Sequence, residues 1–152
     1  MRPKIFLTIA LVGLATASVS AWAEESAILS SWANAKGGLV TFTTCEDKIC
    51  GYVSKLNPHY AGVPYDKHHP DPSMRDRPLL GLVVLSDFSY AGKKIWKDGK
   101  LYNTKDGMTY RSKMKVLDDG RLKVSACILF ACLSEKFIPA PDGPAFSAPQ
   151  GE

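Results

Sequence analysis

The stretch Trp96–Ile128, WKDGKLYNTKDGMTYRSKMKVLDDGRLKVSACI, decides the fold. Asp98-Gly99, Asp106-Gly107 and Asp118-Asp119-Gly120 cut it into short runs. Aspartate and glycine tolerate positive φ, so Asp-Gly between alternating segments signals a β-hairpin. Between these turns the chain has period two. Met108, Tyr110, Met114 and Val116 share one face, with Ser112 as the polar exception, and Thr109, Arg111, Lys113 and Lys115 share the other. Leu122, Val124, Ala126 and Ile128 then alternate with Arg121, Lys123 and Ser125. This is the pattern of antiparallel strands with one face in the core and one in water.

The same reading extends toward the N-terminus. Leu39–Cys45 and Ile49–Leu56 form a first hairpin, and Leu82–Phe88 is so apolar that it reads as a strand covered on both faces. Ser26–Ala35 offers one short helical turn at most. About eight short antiparallel strands imply an all-β domain, an up-and-down barrel or a sandwich. A barrel of about eight strands encloses room for side chains or one small ligand. The segment 57–78 is long for a loop in a compact domain, which marks it either as functional or as evidence against the strand assignment around it.

The ends carry different information. Arg2 and Lys4, the apolar run Ile5–Leu14 and the small-x-small triplet Ala21-Trp22-Ala23 form a secretory signal peptide over 1–23. The apolar run is too short for a membrane span, so the chain is read as not membrane-spanning. No cysteine lies near the cleavage point, which argues against a lipid anchor. The barrel domain is placed at 24–138, and the Pro/Ala-rich text 139–152 reads as a disordered tail. Removing 23 of 152 residues leaves 129, enough for one domain with a core. Lys+Arg falls from 19 to 17 against 15 acids, so no nucleic-acid footprint remains. The expected location is periplasmic or secreted.

All four cysteines, Cys45, Cys50, Cys127 and Cys132, fall in the exported part, and an even count there suggests disulfides. Three pairings are open, and the spacing favours the local one. With Asp47-Lys48 as the turn, Cys45 would face Cys50 at a closely spaced position of the hairpin.

TTCEDKICGYVSKL, HPDPSMRDRPLLGLVVLSDF, WKDGKLYNTKDGMTYRSKMKVLDDGRLKV and CILFACLSEKF together resemble the bacterial exported proteins grouped as domain of unknown function family 2147. The resemblance spans about Ser31–Phe137. It implies a lipocalin-like up-and-down barrel with an internal cavity, and no established activity. The chain departs from that pattern at Ser30-Ser31-Trp32 in place of Gly-x-Trp, and at His69-Pro70-Asp71 in place of Asn-Pro-Asp. It departs again at Phe137-Ile138-Pro139 in place of Trp-x-Arg. The arginine that closes the base of lipocalin barrels is therefore missing, and closure falls to another residue.

The candidate sites follow. Trp96, Tyr102 and Tyr110, read as lying on consecutive strands, would line a cavity with apolar bodies and polar tips. Met108 and Met114 share that face, and Arg75 and Arg77 stand in the long loop where ligand selection would sit. These seven are the candidate contacts for a small apolar or amphipathic ligand. His68 and His69 would project in different directions in an extended segment, so no metal is assigned. No cofactor is expected. There is no Gly-x-Ser-x-Gly, so a binder is favoured over a hydrolase. Pro70, Pro72 and Pro78 stiffen the loop, and Asp71 is positioned to cap a turn at Pro72-Ser73-Met74. The alternative is a filled barrel that serves as an interaction module, with the loop as its contact surface and no protein partner indicated. The basic face Arg111, Lys113 and Lys115 reads as a solvated strand face, with attraction to anionic envelope surfaces as the lesser alternative.

Overall fold

The structure, a computed structural model, describes residues 23–60 and 62–140. The leader expected at 1–23 and the tail expected from 139 lie outside the described residues, except for Ala23, Pro139 and Ala140. Eight strands follow in chain order: β1 Ser31–Ala33, β2 Leu39–Cys45, β3 Lys48–Lys55 and β4 Val83–Tyr90, then β5 Ile95–Asn103, β6 Met108–Val116, β7 Leu122–Ile128 and β8 Ala131–Pro139. Each pairs antiparallel with its neighbour, and β1 pairs with β8, so the sheet closes into an up-and-down barrel. The strands β6 and β7 have the bounds that their alternation and flanking Asp-Gly signals indicate.

Closure does not use the arginine that is missing near the chain end. Trp32 pairs with Pro139 and Ala33 with Ile138, and the Ala140 N–H donates to the Ser31 carbonyl at 2.8 Å. The indole N–H of Trp32 donates to the Ile28 carbonyl at 3.0 Å. Ile28 is fully buried, and the chain before β1 is thereby tied into one end of the barrel. On the outer wall the hydroxyls of Ser31, Thr41 and Ser54 form a ladder across β1, β2 and β3, with both contacts at 2.7 Å. Ile28, Trp32, Phe88, Trp96, Met114 and Leu122 are the centre of the core, which fills this closed end.

Four expectations need correction. Residues 23–26 are helical, but Ser31–Ala33, placed in the expected helical turn, is strand β1; its pairing on both edges overrides the weak local preference. Asp98-Gly99 is not a turn. Strand β5 runs through it with Asp98 at φ +60 and a slip in the pairing with β6, so the positive φ that aspartate accepts makes a bulge here. The first hairpin turns at Glu46-Asp47, one residue earlier than expected, so Cys45 pairs with Lys48 and Cys50 with Thr43. The two cysteines remain on one face and are joined diagonally, with Cα atoms 5.9 Å apart. Strand β4 is not covered on both faces: Val83 and Asp87 are exposed while Leu85 and Phe88 are buried. At the other end of the chain, Cys127 and Cys132 are direct partners in the β7–β8 hairpin and form the second disulfide.

Gly99 is required by a close approach. A Cβ there would overlap the ring of Phe88, which is completely buried. Gly99→Ala should therefore destabilise the protein by about 2 kcal/mol, as overpacking does. Phe88→Leu makes room, so the double variant should lose less stability in urea unfolding than the two single losses combined. Additive losses would show that the contact does not limit the core.

Candidate functional site

The packed core occupies only one end of the barrel. Above it lies a cavity of about 590 Å³. Its walls are the inward side chains Val40, Val53, Leu101 and Ala126, together with Leu85 and Val124, which also belong to the core. Alternation puts Val124 and Leu101 there, between Lys123 and Ser125 on β7 and beside Lys100 on β5. The mouth is formed by the connections β1–β2, β3–β4, β5–β6 and β7–β8, which up-and-down topology brings to one end. Lys36, Lys55 and Lys105 stand at this rim, and none has an ion pair among the described residues. Glu135 and Asp106 also line the cavity.

The rim is pinned by two polar clusters. Asp106 accepts from the Tyr110 hydroxyl at 2.8 Å, from the Asn103 amide at 2.7 Å and from the Met108 N–H at 2.8 Å. Partial burial pushes the Asp106 carboxyl up, but these hydrogen bonds together outweigh it and hold the group below its ordinary value. The bond to Asp106 in turn raises the Tyr110 phenol.

The second cluster anchors the long loop. Tyr65 and Pro78 form an isolated bridge, flanked by hydrogen bonds from the Asp66 N–H to the Arg77 carbonyl and from the Leu79 N–H to the Pro64 carbonyl. Asp66 is completely buried. It accepts from Arg77 Nε at 2.9 Å and Nη2 at 2.7 Å, and from the Tyr102 hydroxyl at 2.7 and 2.8 Å. Arg77 also lies over the Tyr102 ring, 5.2 Å from its centroid. Gly107 admits the carbonyl of His68, since a Cβ there would overlap it. The loop thus lies against β5 and the β5–β6 turn. Within it, Asp71 caps the 3-10 turn Pro72–Met74 through the Ser73 N–H at 2.9 Å.

The seven candidate contacts separate in space. Tyr102 and Tyr110 line the cavity. Trp96 shares β5 with Tyr102, because the expected turn between them is a bulge, and it lies buried in the packed end with Met114. Among the described residues its indole N–H has no hydrogen-bond partner. Met108 is exposed at the start of β6, Arg77 is committed to Asp66, and exposed Arg75 donates from Nε to the His69 carbonyl at 2.8 Å. None of these three lines the cavity. The aliphatic walls and the three lysines were missed, although inward alternation and strand-end position mark them. His69 Nδ1 accepts from the Asp71 N–H at 3.1 Å. Among the described residues no group of three or more His, Cys, Asp or Glu side chains is arranged to hold a metal ion.

A closed eight-stranded antiparallel barrel with one open, apolar end is a lipocalin-like architecture. The chain belongs to the family described as uncharacterized protein conserved in bacteria, DUF2147, whose model matches residues 28–138. Among solved structures it is similar to a Helicobacter pylori protein, HP1028, described as belonging to the lipocalin family. The two share 24% identity at a TM-score of 0.67, over 76% of this chain and 84% of that one. No curated protein matches.

The Asp66 cluster makes a prediction about stability. Asp66→Ala leaves Arg77 without its partner and should cost about 3 kcal/mol, the usual loss when one half of a buried pair is removed. Burial, and next the bond to Asp66, raise the Tyr102 phenol above its ordinary value of 10.0. Past that pH the unfolded chain releases a proton that the folded chain keeps, so stability falls as pH rises. Tyr102→Phe should flatten that alkaline fall in unfolding curves followed across it. An unchanged slope would show that Tyr102 does not contribute to it.

Proposed function

We propose that this protein is an exported, periplasmic or secreted binder of one small amphipathic molecule, held in the barrel cavity. The observation that carries this reading is the cavity itself. Its walls are aliphatic, its inner end is sealed by the core, and its mouth carries Lys36, Lys55 and Lys105. An apolar body would bury against Val40, Val53, Leu101 and Val124. A polar or anionic head would stay at the mouth, where the lysines meet it without giving up other partners. The two disulfides are consistent with an oxidising compartment. Among the described residues no helix is long and apolar enough to cross a membrane.

Binding is favoured over catalysis by the state of the polar groups at the rim. Asp106 is saturated by hydrogen bonds from its own turn, Tyr110 is spent on Asp106, and all four cysteines are in disulfides. A catalytic base or nucleophile needs free valence toward a reacting atom, which Asp106, Tyr110 and the cysteines lack and which Glu135 and His59 retain among the lining side chains.

Native mass spectrometry of protein purified from the periplasm should show a co-purified adduct. Ala126→Trp fills the cavity from β7 and should weaken uptake of a fluorescent fatty acid at least about tenfold, with far-UV circular dichroism unchanged. Replacing Lys36, Lys55 and Lys105 by glutamate should weaken an anionic probe more than its neutral alcohol analogue. Probe uptake that is indifferent to Ala126→Trp would end the assignment.

A further inference from the structure

The two-residue turn of the β7–β8 hairpin is Leu129-Phe130. Leu129 is 90% exposed and Phe130 103%. Tight hairpin turns favour Asn-Gly or Asp-Gly because their backbone needs positive φ. Leu129 holds φ +52, a conformation that costs a leucine stability. Apolar side chains are thus presented to solvent at a position where polar or small ones would be more stable both in backbone and in solvation. Immediately behind the turn the Cys127–Cys132 disulfide clamps the hairpin, so the tip is a rigid projection and not a loose end.

Two further features surround this tip. Exposed apolar side chains gather at the same end of the barrel, including Val63, Leu80, Met108, Ile128 and Leu133, whereas Leu29 and Ile138 are the exceptions at the closed end. Cationic side chains flank it as well. Lys36, Lys55 and Lys105 stand on the neighbouring connections or strand ends, and Arg111 is the cross-strand partner of Cys127. None of the four has an ion pair among the described residues. Of the acids at this rim, Asp106 is committed to its own turn, Asp66 to Arg77, Asp71 to the 3-10 turn it caps and Asp76 to Lys67, and Glu135 faces the cavity.

We infer that the barrel docks, mouth first, on an anionic lipid bilayer, with Leu129 and Phe130 inserted at the boundary between headgroups and acyl chains and the cationic rim on the headgroups. A protruding two-residue wedge ringed by free cations fits a soft, negatively charged, apolar-cored surface. A protein partner would be served better by a broad apolar face than by a point. Interfacial anchors bury their apolar groups about 5–10 Å deep, and each basic residue near an anionic surface adds attraction that salt screens. The docked orientation would turn the cavity mouth toward the membrane, but the inference stands on the tip and rim and does not need the cavity to bind anything.

The test is co-sedimentation with vesicles of phosphatidylethanolamine and phosphatidylglycerol, at 7:3, against vesicles of phosphatidylcholine alone. The protein is used as processed and purified from the periplasm. It should bind the anionic vesicles at low salt, bind the neutral ones at least about tenfold more weakly, and release as salt rises. The double variant Leu129→Gly, Phe130→Asn puts glycine at the one turn position of positive φ, so its thermal midpoint should hold or rise while vesicle binding drops at least about tenfold. Phe130→Trp should gain a blue-shifted emission component with anionic vesicles, quenched by brominated acyl chains. Absence of binding by the unaltered protein overturns the inference, as does full binding by the Gly-Asn variant. Concentration-dependent dimerisation that the Gly-Asn variant abolishes, without vesicle binding, would overturn it in favour of a second copy as the occupant.

Discussion

Strand β1 is three residues long, and it meets β8 across two residue pairs, Trp32 with Pro139 and Ala33 with Ile138. That short seam turns an eight-stranded sheet into a ring and removes both open edges, which would otherwise template pairing with another chain. The cavity exists because of it. An open sheet of these strands would expose Val40, Val53, Leu101 and Val124 to water, and nothing would separate a packed end from a hollow one. The supports of the seam lie on both sides. Trp32 is held inside by its bond to the Ile28 carbonyl, and Ser31 is held outside by the hydroxyl ladder to Thr41 and Ser54.

The long connection between β3 and β4 shows a different economy. A buried carboxylate is costly unless it is fully paired. Asp66 meets that condition with a two-pronged guanidinium and the Tyr102 phenol. These bonds convert a segment that has little apolar surface of its own into an ordered wall beside the mouth. The prolines contribute by limiting the unfolded alternatives, and Asp71 contributes by holding the 3-10 turn. The loop read from its prolines as a stiff connector is in this respect structural: Arg77 and Tyr102 of β5 spend their polar atoms on Asp66, and Arg75 donates to the His69 carbonyl.

Much of the fold was legible because period-two alternation is a direct imprint of a half-buried sheet. Met108–Val116 and Leu122–Ile128 read correctly for that reason, and with them the antiparallel barrel class. What failed was local. Asp-Gly signals positive φ, but positive φ serves a bulge as well as a turn, and only the pairing partners of Lys97 and Gly99 distinguish the two. That single ambiguity put Trp96 and Tyr102 on different strands and Trp96 in the cavity. The turn Glu46-Asp47 carries no glycine to mark it, so the register slipped by one residue while the disulfide survived on the same face. The site was less legible than the fold. Aromatic residues attract attention as pocket linings, yet here the large ones, Trp96 and Phe88, fill the closed end, and ordinary valines and leucines surround the hollow.

Both disulfides join residues five apart in sequence, and neither crosses between hairpins. Bringing such near neighbours together costs little chain entropy, while joining β1 to β8 requires nearly the whole domain to fold back on itself. Oxidation can therefore proceed within each hairpin, independent of whether the ring has yet formed. Four thiols with three ways to pair are thus biased by proximity toward the native bridges.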